Sequence, residues 1–379
     1  MKIQKEILSL TTLRFVGAFY VFLFHINMRW PLADITSIAG RILVHGAIGM
    51  SLFFVLSGFV LAYRFNDGIE NIYSYAFMRF SRIYPVYLIA AISTLPWLIS
   101  TFSNLPAAPG YLVGRYAYII FANILLVQAW MPQLFSYWND SASWSISVEA
   151  FFYALFPFVL EPMRKLSNRS LYITIAIFLL ATSLPGISYF LFPNPPETTI
   201  FYAIPIFRLA EFLCGLACGL LYSRGIRIRF PTLATTVSMA MLGTFLVYGP
   251  QLWVVTLNWI VVPTVAVLIF SFASLNKGIL FQLATSRPFV SLGHISYSFY
   301  SIQTLIIYLC IDHHDKLISY FPQLSSNWKF FLFAFITLTI MASISFYILE
   351  VNLRDYMNKI WRKKNNRLSA SKNISDTAT

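Results

Sequence analysis

The sequence predicts an all-α polytopic membrane protein of about ten transmembrane helices plus one re-entrant helical segment. The first observation is composition: 58% of the 379 residues are hydrophobic and only 11% are charged, with a mean hydropathy of +0.69. The second is length, because apolar runs of about 20 residues, enough to cross a bilayer as a helix, recur from end to end. The third is periodicity. The runs are continuously apolar and lack the alternation of a transmembrane barrel strand. Composition excludes an ordinary soluble globule, and periodicity excludes the barrel.

The first run, 10–29, carries Arg14 and His25 within Leu10–Met28. Eleven positions are three helical turns plus roughly 20°, so both residues share one face, about 16 Å apart along the axis. A central Arg costs at least ~2.5–3.5 kcal/mol to insert, which points to a polar cavity on that face. The alternative is that Arg14 snorkels to one interface and His25 to the other. Lys2 and Lys5 before an apolar run resemble a signal peptide, but Arg14 interrupts the run and no small-residue cleavage site follows. The helix is therefore expected to be retained.

The remaining runs are 45–64, 81–100, 113–131, 143–162, 171–191, 201–223, 232–249, 252–274, 289–311 and 327–349. Both ends of the chain are basic, so both are expected in the cytoplasm, which requires an even number of crossings. One run must therefore fail to cross. Making 113–131 re-entrant leaves only Arg29, Arg41, Arg115, Lys316 and Lys329 outside and gathers the other loop cations inside. That run is also a poor span, with Arg115, Asn123 and Gln128 inside it and SNLPAAPG before it. Irregular backbone at membrane depth is tolerated where protein or a water-filled cavity covers it. The expected layout is a cytoplasmic N-terminus at 1–9, a transmembrane domain at 10–349 with its re-entrant element at about 101–142, and a basic, disordered cytoplasmic tail at 350–379. The same placement of charge explains the net +13 without nucleic acid.

Polar residues within the spans carry the functional signal. Arg79 and Arg82 lie one turn apart at the cytoplasmic end of the third span, in MRFSRIYPVY. They serve either as topology signals or as a guanidinium clamp for phosphate. Ser145 and Glu149 share a face of the span that begins SWSISVEAFFY. By the expected topology Glu149 lies in the outer half, at a depth similar to His25, and a His–carboxylate pair suits general base chemistry. A purely structural pair locking two helices is the alternative. Arg208 and Glu211, three apart, are expected to form an internal ion pair. In CGLACG, Cys214 and Cys218 alternate with Gly215 and Gly219 as a small-residue packing face. His294 is a weaker signal. His313 and His314 beside Asp312 and Asp315 are expected in a solvated outer loop, and no metal site is expected.

Together these motifs resemble the acyltransferase-3 family of bacterial membrane acyltransferases. The resemblance runs from about residue 8 to 350. It rests on Arg14 with ten residues before His25, FFVLSGFVL (Phe53–Leu61), Arg79-x-x-Arg82 with IYPVY, Ser145-x-x-x-Glu149 in WSISVEAFFY, and GHISYSFYSIQ. Gln303 is a departure, since many members carry His there. The resemblance implies O-acyl transfer from cytoplasmic acetyl-CoA to a hydroxyl of an extracytoplasmic or lipid-linked carbohydrate, in a bacterial inner membrane. It implies that Arg14, His25, Arg79, Arg82, Ser145 and Glu149 are the functional residues; an anionic cytoplasmic donor then suits Arg14, Arg79 and Arg82, and His25, Glu149 and Ser145 are expected to form the catalytic group. A proton-coupled transporter or flippase of a glycolipid, with His25 and Glu149 as its relay, is the competing class.

Overall fold

The computed structural model describes residues 5–103, 109–135, 137–138, 143–191, 198–249 and 254–361, and these contain helices and turns but no strand. The first is α1 (Leu8–Arg29), followed by a short α2 (Ile38–Leu43) and α3 (Gly49–Arg64). Next come α4 (Ile72–Ser93), α5 (Leu95–Ser103) and α6 (Pro109–Ile124), then α7 (Ser143–Lys165). The middle of the chain forms α8 (Asn168–Ala181), α9 (Leu184–Leu191), α10 (Thr198–Ala203), α11 (Pro205–Ser223), α12 (Pro231–Tyr248) and α13 (Asn258–Ser274). A short α14 (Ile279–Ala284) precedes the long α15 (Arg287–Tyr320) and α16 (Asn327–Ile344). After α16 a π-helical turn, Ser345–Glu350, leads into further helix.

Local chemistry sets these boundaries. Asn71 accepts the Ser74 amide at the start of α4, and Ser167 accepts the Ser170 amide at the start of α8, pairing donors that the first turn leaves open. Pro205 and Pro231 stand in opening turns, where a missing N–H is harmless. At the end of α4, Thr94 bonds back to the carbonyls of Ala90 and Ala91, and α5 departs at 47°.

Among the described residues eight helices are long and apolar enough to cross a membrane, and nine if the bent α4–α5 pair is one span. The shorter apolar α13 occupies the place of the remaining expected span. The most buried spans contain α3 and α11, which pack in parallel at the centre. Their contact depends on glycine. A Cβ on Gly215 would collide with the Val55 carbonyl, and one on Gly58 with the Phe212 carbonyl. CGLACG is thus a small-residue packing face, as its pattern suggests.

The helix directions bear on the parity argument. Thr11 lies against Gly293, Phe22 meets Phe299 edge-on at 5.6 Å, and Trp30 stacks on His314 at 5.6 Å, so α1 and α15 run parallel. Parallel helices begin at the same side, which requires an even number of crossings between their starts. The α6 segment is not one of those crossings. It runs back beside α5 and α4, with Tyr116 bonding the Ile99 carbonyl at 2.9 Å and Tyr87 the Asn123 carbonyl at 3.0 Å. The chain then turns through Leu126, at φ 57, and two 3-10 turns. It returns to where it came from, with Arg115 donating to Tyr137 at 2.8 Å and Trp138 to the Ala91 carbonyl at 2.9 Å.

Two expected boundaries move. His313 and His314 lie on α15, which continues to Tyr320, rather than in a loop. The polar residues mark the edge of the apolar run, while Trp97 donating to Asp312 at 2.9 Å keeps the helix packed beyond it. The C-terminal helix likewise runs to Trp361 instead of giving way to disorder at 350. Trp361 stacks on Phe77 at 4.6 Å and Ser81 bonds Asn358 at 3.3 Å, which tie this stretch to α4. Residues 1–4 and 362–379 lie outside the described residues.

Candidate active site

A charge inside an apolar bundle needs either a protein partner or a polar cavity. Five of the six expected site residues share a cavity. Arg14, Arg79, Arg82, Ser145 and Glu149 line a space of about 760 Å³ enclosed by α1, α3, α4, α7, α15 and the helix after α16. That volume is within the usual range for a small-molecule site. Lys5, Arg64 and Arg354 lie on the same wall, so cations outnumber the three lining carboxylates, Glu6, Glu149 and Glu350. The excess positive charge suits an anionic ligand.

The three expected donor-binding arginines differ in setting. Arg79 is buried, with its guanidinium carbon 5.7 Å from the Phe65 ring, 5.9 Å from Tyr75 and 5.7 Å from Tyr153. This aromatic cage offsets part of the desolvation of its charge. Arg82, one turn on, is only half-buried and lies in the field of Tyr153, Glu350 and Glu149. Arg14 is half-buried within electrostatic reach of Arg82, Glu6 and Glu149.

Glu149 accepts hydrogen bonds from the Tyr153 hydroxyl and, at 3.5 Å, from Ser57. Ser145 closes the far end of the space. Its Oγ lies 2.7 Å from the Tyr300 hydroxyl, which also reaches Met50 Sδ at 3.5 Å. At the other end Glu6 accepts from Thr11 at 2.5 Å and lies 3.4 Å from His294 Nε2. Burial pushes the Glu6 carboxyl up, but Thr11, His294 and Arg14 outweigh it and hold the group below its ordinary range.

His25 does not stand on this wall. The expected pairing with Glu149 is replaced by different partners for each residue. His25 faces Gln303 on α15, while Glu149 faces the arginines. The reason lies in the re-entrant path. α7 does not start at the outer surface: the Ser143 carbonyl accepts from Gln128 at 2.7 Å, and Gln128 also reaches Tyr87, about two-thirds of the way along α4. Glu149 is another six residues in, about 9 Å deeper, and this brings it to the depth of the arginine pair.

Reading the sequence missed three participants. Glu350 ends an apolar run and looks like its boundary, yet the π-helical turn directs it into the cavity, where Ser298 donates to it at 2.7 Å. Arg354 follows one turn later, within the stretch expected as tail. Tyr153 gives no charge signal, although it touches both Arg79 and Glu149. Arg208 and Glu211 do form the expected ion pair, at 3.1 Å and fully buried, away from the cavity lining. Among the described residues no three His, Cys, Asp or Glu side chains are grouped to hold a metal ion.

Comparison with known proteins adds an independent line. Residues 7–349 match the family model described as an acyltransferase domain. The chain is 30% identical over 317 residues to the acyltransferase MdmB of Streptomyces mycarofaciens, an alignment covering 79% of this chain and 78% of that protein. No solved structure matches significantly.

Proposed function

Since the chain belongs to the acyltransferase-3 family, we propose that it moves an acetyl group from acetyl-CoA to a hydroxyl of an extracytoplasmic or lipid-linked carbohydrate. The cavity carries this reading. Its basic residues converge at the end where α1 begins and α3 finishes, as a phosphate-bearing donor requires. In this assignment Arg82 and Arg14 bind donor phosphates, with Arg64, Arg354 and Lys5 at the mouth. Arg79, held in its aromatic cage, fixes the field around them. Glu149 and Glu350 balance part of the charge on Arg82.

The acyl arm then points towards the Ser145–Tyr300 pair, with His25 beyond it on α1. His25 removes the proton of the acceptor hydroxyl, the oxygen bonds to the thioester carbon, and the C–S bond breaks. The proton passes from the imidazolium to the departing thiolate. Donor handling and proton abstraction occupy two levels of one helix, so CoA itself need not cross. This assignment places the protein in a bacterial inner membrane with both termini cytoplasmic.

The test is purified protein with radiolabelled acetyl-CoA and the glycolipid fraction of its native membrane. Thiol release that depends on acceptor, with label recovered in ester linkage to the glycan, supports transfer. Movement of glycolipid across proteoliposomes without thiol release rejects it in favour of a flippase. The clamp has its own test. Losing one charge-assisted contact costs about 1.5–3 kcal/mol, so Arg82→Ala should weaken acetyl-CoA binding roughly 10- to 150-fold by titration calorimetry. Unchanged affinity would return Arg82 to a topology signal.

A further inference from the structure

We propose that Gln303 is the positioning residue for His25, holding its imidazole with Nε2 free as the base. The proposal rests on the acyl-transfer reading and assigns a role to a side chain that the motif marks only as a departure. Gln303 is fully buried on α15, and neither its amide oxygen nor its amide nitrogen meets a hydrogen-bond partner. Buried amides are nearly always paired, so this one is set against a specific group. That group is His25, whose Nδ1 is itself buried and without a partner, and whose ring lies within reach of Gln303.

The facing pair is fixed by the helices that carry it. Phe299, one turn before Gln303, packs edge-on against Phe15 at 5.4 Å and Phe22 at 5.6 Å. Further along, His314 stacks on Trp30. His25 lies between Phe22 and Trp30, and Gln303 between Phe299 and His314, so rigid aromatic contacts bracket the pair on both sides.

Chemistry then chooses the arrangement. A neutral imidazole has one N–H and one lone pair, and it acts as a base at Nε2 only when the proton sits on Nδ1. Nδ1–H needs an acceptor, and in this assignment the amide of Gln303, the side chain within reach of the ring, supplies its Oε1. Glu149 and Tyr153 are engaged with the arginines. During transfer the Nδ1 proton stays in place. Nε2 takes the hydroxyl proton as the C–O bond forms, then gives it to the thiolate as the C–S bond breaks. Gln303 is neutral throughout and acts through orientation alone.

The experiment measures acceptor-dependent thiol release for wild type, Gln303→Leu, His25→Ala and the double variant, full length in proteoliposomes, with acetyl-CoA and the glycolipid fraction of the native membrane. Misplacing a catalytic group by about 1 Å can cost roughly 100-fold. Gln303→Leu should therefore lower kcat by roughly 10- to 100-fold, leave the KM for acetyl-CoA unchanged, and add no further loss in the His25→Ala background. Gln303→Glu, which keeps an acceptor at the same reach, should recover most of the rate. If the Leu variant aggregates, Gln303→Met carries the same comparison with a side chain of closer shape. A Leu or Met variant within twofold of wild type overturns the proposal. So does a loss of equal size with His25 present or absent, or a Gln303→Glu variant no faster than Gln303→Leu. If instead wild type and His25→Ala release thiol equally, the acyl-transfer reading itself fails and takes this assignment with it.

Discussion

Replacing His25 by Ala is expected to lower acceptor-dependent thiol release by roughly 10²- to 10⁴-fold, the usual contribution of a general base, while acetyl-CoA affinity stays within about twofold of wild type. The asymmetry follows from position. His25 lies three turns from Arg14 on α1 and off the cavity wall, whereas Arg14 stands on it. Arg14→Ala should therefore do the reverse in the binding assay and weaken the donor. Titration calorimetry with acetyl-CoA, paired with thiol release on the same preparations, separates the two. A His25→Ala protein that has lost donor binding would mean that the cavity and the histidine form one unit, and the two-level scheme would fail. The alternative of both residues snorkelling predicts no change in either assay.

That Arg14 faces a polar cavity was legible from its place within one helix, although His25, three turns on, is off that wall. Arg208–Glu211 and CGLACG were legible for the same reason, since each is a contact encoded within one helix. What escaped depended on where one helix sits against another. The depth of Glu149 could not be counted from the end of its apolar run, because α7 begins with Ser143 held by Gln128 beside Tyr87, within the bundle rather than at its outer surface. Gln303 is neutral inside an apolar run, so neither charge nor hydropathy marks it. Its significance emerges only when α15 is laid parallel to α1. Glu350 was hidden by a π-helical turn, which shifts the face a residue presents without altering composition. The directions of α1, α3, α11 and α15, by contrast, agree with a parity argument built from loop charges alone.

The buried ion pair at the centre carries the second large expectation. Arg208→Met is expected to destabilise the protein by about 3–5 kcal/mol, the usual cost of leaving one member of a buried pair without the other. Arg208 donates to Ser51 at 3.0 Å on α3 and pairs with Glu211, which in turn accepts from Asn258 at 3.2 Å on α13. Its guanidinium also lies 5.2 Å from the Phe54 ring and 5.5 Å from Tyr202. Without the arginine, Glu211 must stay charged among apolar neighbours or take up a proton. Glu211→Leu alone should also destabilise, because the arginine then keeps its charge with only Ser51 and two rings around it. The double variant, Arg208→Met with Glu211→Leu, removes both charges and should recover most of the loss, as buried pairs replaced whole often do. Thermal unfolding of the four proteins in one detergent measures this coupling, and additive losses would show that the two residues act independently. Because Phe54 lines the cavity proposed for the donor while Arg208 packs over its ring, the single Arg208 variant should also loosen acetyl-CoA binding, and the double variant should restore it in step with stability. A double variant that regains stability without regaining donor affinity would mean that the guanidinium shapes the cavity wall directly, beyond balancing Glu211.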